Sequence, residues 1–226
     1  VNLAKSGPLD YLTLDYLAEV TLSIMQKQKL KNPGEGYARD FIDLIKRILP
    51  EIQQNGLKVI TNAGGVNPQA CRERLLKLSE DIGEKIKIGV IQGDDIYADL
   101  QKYRDKGVSF DQIDTGQSFN EIADKIYSAN VYISSFIIAQ ALNKGAQIVL
   151  AGRVSDPGLA LGPCIYEYNW KEDDYNLLAA GTLAGHIIEC GAQCTGGNYS
   201  HWQDVPDMAN IGYPIIEMKS DGQFCI

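Results

Sequence analysis

Lys58-Val59-Ile60-Thr61-Asn62-Ala63-Gly64-Gly65-Val66-Asn67-Pro68 decides the fold. A short apolar, β-branched run breaks into a polar, glycine-rich turn, and Pro68 then opens a helical pattern that runs to residue 82. Asn67 stands where a helix is capped and Pro68 at the first helical position, where its missing N–H costs nothing. Gly64 and Gly65 allow a sharp turn or a close approach of backbone to a ligand. The same grammar recurs twice. Residues 87–91 run into Gly93-Asp94-Asp95, and residues 148–151 run into Gly152-Arg153-Val154-Ser155-Asp156-Pro157. Strands that end in polar loops along one edge are where open α/β sheets take small molecules.

Working outward, residues 9–14 have strand composition. Residues 17–30 carry apolar side chains at helical spacing (Leu17, Val20, Thr21, Ile24, Met25) until Asn32-Pro33-Gly34 breaks the pattern. Residues 36–54 form a long amphipathic helix with Phe41, Leu44, Ile45, Ile48 and Leu49 on one face, kinked or divided at Pro50. Further on, the pattern predicts helices over 96–106, 121–129, 136–142, 158–168 and 175–190. Residues 131–133 are read as a short strand and 108–120 as a loop with a strand fragment. Ala179, Ala180, Gly181, Ala184 and Gly185 would let the 175–190 helix lie close to a neighbour. Residues 213–218 and 223–226 flank Ser220-Asp221-Gly222, a hairpin signal. Strands alternating with helices predict an α/β fold with a mostly parallel sheet, helices on both faces in Rossmann-like layers, and a C-terminal β-hairpin. The chain opens without Met on a helix tail stopped by Gly7-Pro8 and ends inside the second hairpin strand. A single core domain over 1–226, cut at both ends, is therefore expected.

The 226 residues carry a formal charge of −8 and no Lys/Arg block beyond Lys27, Lys29 and Lys31. That balance argues against nucleic acid or an anionic membrane as partner. No apolar run reaches the length of a membrane span. Five scattered cysteines do not make a disulfide scaffold and suit a reduced, cytoplasmic protein, or the mitochondrial matrix if the source is eukaryotic. Cys190 and Cys194 lack the pairing of a zinc site and read as small buried hydrophobes, so no metal ligands are assigned.

Right-handed crossovers place Asp15, Asn62, Gly64, Gly65, Asp94, Asp95, Arg153 and Asp156 on one edge. Two adjacent carboxylates, Asp94 and Asp95, repel each other. One could serve as an acid or base, or both could help hold a divalent metal; the bland reading is a solvated turn. Arg153 at the mouth of an apolar strand suits a carboxylate or phosphate, against an ion pair with Asp156. Asn67 and Asp156 read first as helix caps. His186 and Glu189, three apart on one helical face, form a proton-transfer pair or a hydrogen-bonded core pair. No dinucleotide or Walker fingerprint and no nucleophile elbow is present.

Several strings resemble the acyclic terpene utilisation (AtuA-like) family: 14–21, 61–68, Gly93-Asp94-Asp95, 152–156, and 184–197 with Thr195-Gly196-Gly197. The resemblance runs in order along nearly the whole chain. It implies bacterial breakdown of branched acyclic terpenoids through acyl-CoA intermediates, with a lyase step on a branched hydroxyacyl-CoA as the natural reaction. On that reading Asp94 or Asp95 would be the base, the Gly64-Gly65 amides the oxyanion donors and Arg153 the anchor. Asp15, Asn62, Asn67, Asp156, His186, Glu189, Thr195, Gly196 and Gly197 would line the substrate site. A CoA thioester would be the substrate, with a divalent metal left open and a homo-oligomer or complex subunit expected. The competing readings are a non-catalytic ligand-binding or scaffold subunit of an acyl-CoA-metabolising complex, and a purely structural domain.

Overall fold

The computed structural model describes residues 1–226. Four strands, β1 (Tyr11–Leu14), β2 (Lys58–Thr61), β3 (Ile88–Val90) and β4 (Ile148–Leu150), make one all-parallel sheet in the order β1-β2-β4-β3. The helices are α1 (Asn2–Ser6), α2 (Glu19–Lys31), α3 (Arg39–Gln54), α4 (Pro68–Ile82), α5 (Leu100–Asp105), α6 (Ser135–Asn143), α7 (Gly158–Tyr168) and α8 (Tyr175–Glu189). A hairpin of β5 (Glu217–Met218) and β6 (Phe224–Cys225) closes the chain. The fold is the expected α/β sheet with its C-terminal hairpin, and no helix is long and apolar enough to cross a membrane.

Strand alternation sorts the core. Val59 faces one side with Ile148 and Leu150, where it meets Phe41, Ile45 and Ile48 of α3 and Cys71 and Leu75 of α4. Ile60 and Val149 face the other side, against Ile138 and Leu142 of α6 and Leu159 of α7. Burial on both faces is why β2 and β4 read as unbroken apolar runs rather than alternating ones. The hairpin seats beneath α7 and α8, where the Trp170 indole N–H donates to the Ser220 carbonyl at 3.2 Å.

The Lys58–Pro68 stretch folds as read: β2, a turn, then α4 with Pro68 at its first position. Asn67 occupies the cap position, but its side chain makes no capping bond. Its amide instead donates to the carbonyls of Pro33 and Glu35, both at 2.8 Å, and so ties the loop before α3 to the start of α4. Gly65 has φ +56, and a Cβ there would lie 2.4 Å from Met25 Sδ and 2.5 Å from the Gly36 carbonyl oxygen. The Met25 tip can move, but the Gly36 backbone cannot. Gly65→Ala should therefore cost about 2–4 kcal/mol, from left-handed strain and overpacking together. Gly56→Ala (φ +73, open space) should cost only about 1 kcal/mol. Urea midpoints of the two variants measure the difference, and equal midpoints would remove the packing argument.

Several expectations fail. In α2 the buried residues are Leu22 and Met25, whereas Val20 is 70% and Ile24 49% exposed. The apolar side chains of this helix do not share a face, and the side that is covered is the one where Met25 lies against the loops at Gly36 and Gly65. Residues 121–129 form no α-helix: two short 3-10 turns, Phe119–Glu121 and Ala123–Lys125, stand there. The strand fragment expected in 108–120 is likewise absent. The following residues are drawn toward the sheet, with Val131 N–H donating to Asp94 O at 2.8 Å and Ile133 N–H to Arg153 O at 3.0 Å. They form isolated bridges rather than a strand. Pro50 lies on the exposed side of α3, and the helix continues through it to Gln54.

Candidate functional site

The C-terminal ends of the parallel strands converge as the topology requires. Asn62, fully buried directly after β2, joins two of them. Its side-chain NH2 donates to Asp15 Oδ1 at 2.6 Å, and its oxygen accepts the Tyr16 N–H at 2.7 Å. Leu17 N–H donates to the same Asp15 oxygen at 3.1 Å. The carboxylate is thereby fixed at the end of β1. Burial raises the Asp15 pKa above the ordinary carboxylate value; the bonds from Asn62 and Leu17 oppose the shift, and the nearby Asp156 charge adds to it.

The small residues of α8 bring a third element to this place. A Cβ on Gly185 would lie 2.4 Å from the Pro157 carbonyl oxygen, so glycine lets α8 rest on the 153–157 loop. The last turn of α8 then reaches the strand ends. Asp15, Asp156 and Glu189 offer carboxylate oxygens that all lie within 4.8 Å of one another. Glu189 Oε1 also stands 3.2 Å from His186 Nδ1 and accepts the Cys190 S–H at 3.0 Å. His186, Glu189 and Cys190 form a second set of ligand atoms within 4.8 Å of one another. The Glu189 carboxylate beside it, with burial second, pushes the Cys190 thiol up to about 11. Five side chains of acid–base or metal-binding type thus meet around Glu189. The oxygen-rich trio is of the kind that takes a hard divalent ion, and the sulfur-bearing trio suits a softer one.

Arg153 is not a free anchor. Its side chain is 6% exposed, and Nη1 donates to Asp156 Oδ1 at 2.7 Å, Leu17 O at 2.9 Å and Val154 O at 3.1 Å. Nη2 meets the Tyr132 hydroxyl at 3.2 Å and stands 3.7 Å from Glu19, and the guanidinium lies 4.7 Å from the Tyr132 ring centre. Burial disfavours the cation, but Asp156 and Tyr132 outweigh it and raise the pKa. Both terminal nitrogens thus have partners within the chain, and the guanidinium ties the 17–19, 132 and 153–156 segments together at this edge. Asp156, read as a cap, is this arginine's counter-ion, and the position before α7 belongs to Pro157.

Asp94 and Asp95 do not act as a pair. Asp94 is buried, with Oδ2 accepting from Asn130 Nδ2 at 2.9 Å and Arg153 N–H at 2.8 Å. Its carboxylate also occupies the space that a side chain at Gly152 would need, since a Cβ there would lie 2.0 Å from Oδ1. Asp95 turns away and accepts the Tyr97 N–H at 3.0 Å. One carboxylate is a buried staple and the other a turn residue. The Gly64-Gly65 turn is also committed: Gly65 N–H donates to Asn62 O at 3.0 Å, and a Cβ on Gly64 would meet Pro68 at 2.7 Å. The Gly65 amide is therefore taken up within the turn, and Gly64 is a glycine because Pro68 leaves no room for a side chain. Thr195 bonds to the carbonyls of Ala192 and Gly212, and Gly197 N–H to Ala192 O, so Thr195, Gly196 and Gly197 hold a local turn beyond α8.

The edge therefore unites Asp15, Asn62, Arg153, Asp156, His186 and Glu189. Cys190, Tyr132 and Glu19 join it although the sequence reading gave them no part. The signal for Cys190 was its place one residue after Glu189 and four after His186. Tyr132 lies in a stretch whose path only the folded chain reveals.

The family model described as "Acyclic terpene utilisation family protein AtuA" matches residues 1–226. No curated protein and no solved structure matches the chain.

Proposed function

Since the chain belongs to the acyclic terpene utilisation family, which points to a role in using acyclic terpenes, we propose that it is a catabolic enzyme acting on a branched acyl-CoA or a related carboxylate. We assign it a lyase reaction in which Asp15 moves the proton. The observation that carries this reading is Asp15 itself: a carboxyl group with a raised pKa, fixed by Asn62 at the C-terminal edge of a parallel sheet and faced by Glu189. A general base works best with a pKa close to the working pH, and burial moves an aspartate in that direction.

In a retro-aldol cleavage of a branched 3-hydroxyacyl thioester, the Asp15 carboxylate takes the hydroxyl proton. The bond between the α- and β-carbons breaks to leave a carbonyl compound and a thioester enolate. Asp15, now protonated, returns the proton to the enolate carbon. Atoms and charge balance with one group used twice. Arg153 acts at one remove, holding Asp156 and the Leu17 carbonyl in place around Asp15.

The test is incubation of the protein with a branched 3-hydroxyacyl-CoA in D2O, followed by NMR and mass spectrometry. The expected products are a carbonyl compound and a shortened acyl-CoA carrying one deuterium at its α-carbon. Absence of cleavage and of α-deuteration across a branched series would defeat the proposal. One observation favours a non-catalytic ligand-binding or scaffold subunit: both terminal nitrogens of the edge arginine already bond within the chain, Nη1 to Asp156 and two carbonyls and Nη2 to Tyr132. That reading expects acyl-CoA binding without turnover.

A further inference from the structure

The thiol of Cys190 has no part in the proton transfer above, yet it lies in the same cluster. We propose that His186, Glu189 and Cys190 bind a zinc ion, as the three protein ligands of a four-coordinate site with a water-accessible fourth position beside Asp15.

The spacing supplies the geometry. Positions i, i+3 and i+4 stack along one side of a helix, so the end of α8 presents an imidazole, a carboxylate and a thiol together. Tetrahedral zinc, with bonds of about 2.0–2.3 Å, needs ligand atoms roughly 3.3–3.8 Å apart. Glu189 Oε1 already stands 3.2 Å from His186 Nδ1 and 3.0 Å from Cys190 Sγ, and all three ligand atoms lie within 4.8 Å of one another. Small rotamer adjustments open the triangle to that size. In this structure the Cys190 S–H donates to Glu189 Oε1, and a bound cation would take the place of that proton.

Charge and softness choose the ion. A thiolate and a carboxylate neutralise a dication, and Asp15 and Asp156 stand close to Glu189 with a single arginine to offset them. A sulfur, nitrogen and oxygen set favours zinc over magnesium or calcium. The lack of paired cysteines, which argues against zinc from the sequence, excludes only a closed structural site. Sites with three protein ligands and an open position do not need such pairs. Such an ion would polarise a substrate carbonyl next to Asp15. That use rests on the reaction proposed above, whereas the site itself does not.

Cobalt(II) added to metal-free protein reports on the site independently of turnover. We expect one cobalt per chain, with thiolate-to-cobalt charge-transfer absorption in the near ultraviolet that zinc abolishes by displacement. Cys190→Ser should remove the band, while Cys225→Ser, remote from the cluster, keeps it. His186 is exposed, so His186→Ala should fold normally and bind at least tenfold more weakly. No charge-transfer band in the wild-type protein, its survival in Cys190→Ser, its loss in Cys225→Ser, or unchanged affinity in His186→Ala would each overturn the assignment. A cobalt spectrum without hydroxyacyl-CoA cleavage would leave the site standing and remove the proposed reaction alone.

Discussion

Asp15→Asn is expected to lower cleavage of a branched 3-hydroxyacyl-CoA by roughly 10²–10⁴-fold, the range associated with loss of a positioned acid–base group. Asparagine keeps the size and can still bond to Asn62, so the fold should persist. A stability signature separates this loss from unfolding. The folded pKa of Asp15 is raised, by burial first, above its ordinary 3.8. A raised folded pKa means that the contribution to stability is complete below the unfolded value and is lost as pH rises through the folded one. At neutral pH the ionised Asp15 thus carries a desolvation penalty that asparagine does not. Relative to Asp15→Asn, the wild-type protein should gain stability as pH falls through the window between the raised pKa and 3.8. Thermal melts of both proteins across that window test the point. Parallel profiles would mean that Asp15 is not perturbed, and the proton-transfer role would lose its basis.

Arg153→Met should destabilise the protein by about 3 kcal/mol, near the lower end for breaking a buried pair, because Asp156 is still partly in water. The Leu17 and Val154 carbonyls would lose a donor at the same time. Arg39→Ala makes an instructive comparison. Arg39 meets Glu35 at 2.7 Å, the same separation as Arg153 from Asp156, but its side chain is 68% exposed. Its loss should cost no more than about 0.5 kcal/mol, because water screens the charges and supplies replacement partners. Urea denaturation of the two variants compares equal bond lengths in different surroundings. If both midpoints move by the same small amount, Arg153 does not hold the edge together.

Local rules reach as far as local causes do. Residues 58–68 could be read almost residue by residue because β-branched apolar residues, a Gly-Gly turn and a helix-opening proline each act within a few positions. The helical spacing of α3 placed Phe41, Ile45, Ile48 and Leu49 in the core for the same reason. Topology also collected the right strand ends. What it could not supply was the direction of each side chain there. Asp94 and Asp95 look equivalent in sequence, but Asn130 and the Arg153 amide turn one inward while the other caps Tyr97. Arg153 looked free because its partners come from residues 17, 19, 132 and 156. Residues 121–129 have helical composition, yet the chain beyond them is held extended by pairing with Asp94 and Arg153, and that tertiary demand prevails over propensity.

The order of the sheet also bears on how the protein is made. β4 lies between β2 and β3, so β3, although synthesised earlier, has no neighbour until β4 arrives. On a ribosome, β1 and β2 can pair early. Val59 must then wait for Ile148, and at about 5–20 residues per second the intervening roughly 90 residues take about 5–20 s. Throughout that interval β2 has an unpaired edge on a growing chain, and β3 adds a second unpaired strand once residues 88–90 are made. Residues 148–150 are thus a threshold in translation: a ribosome that stalls before them presents a half-built sheet to chaperones, and one that passes them supplies the strand that joins β2 to β3, with α7 still to cover the second face.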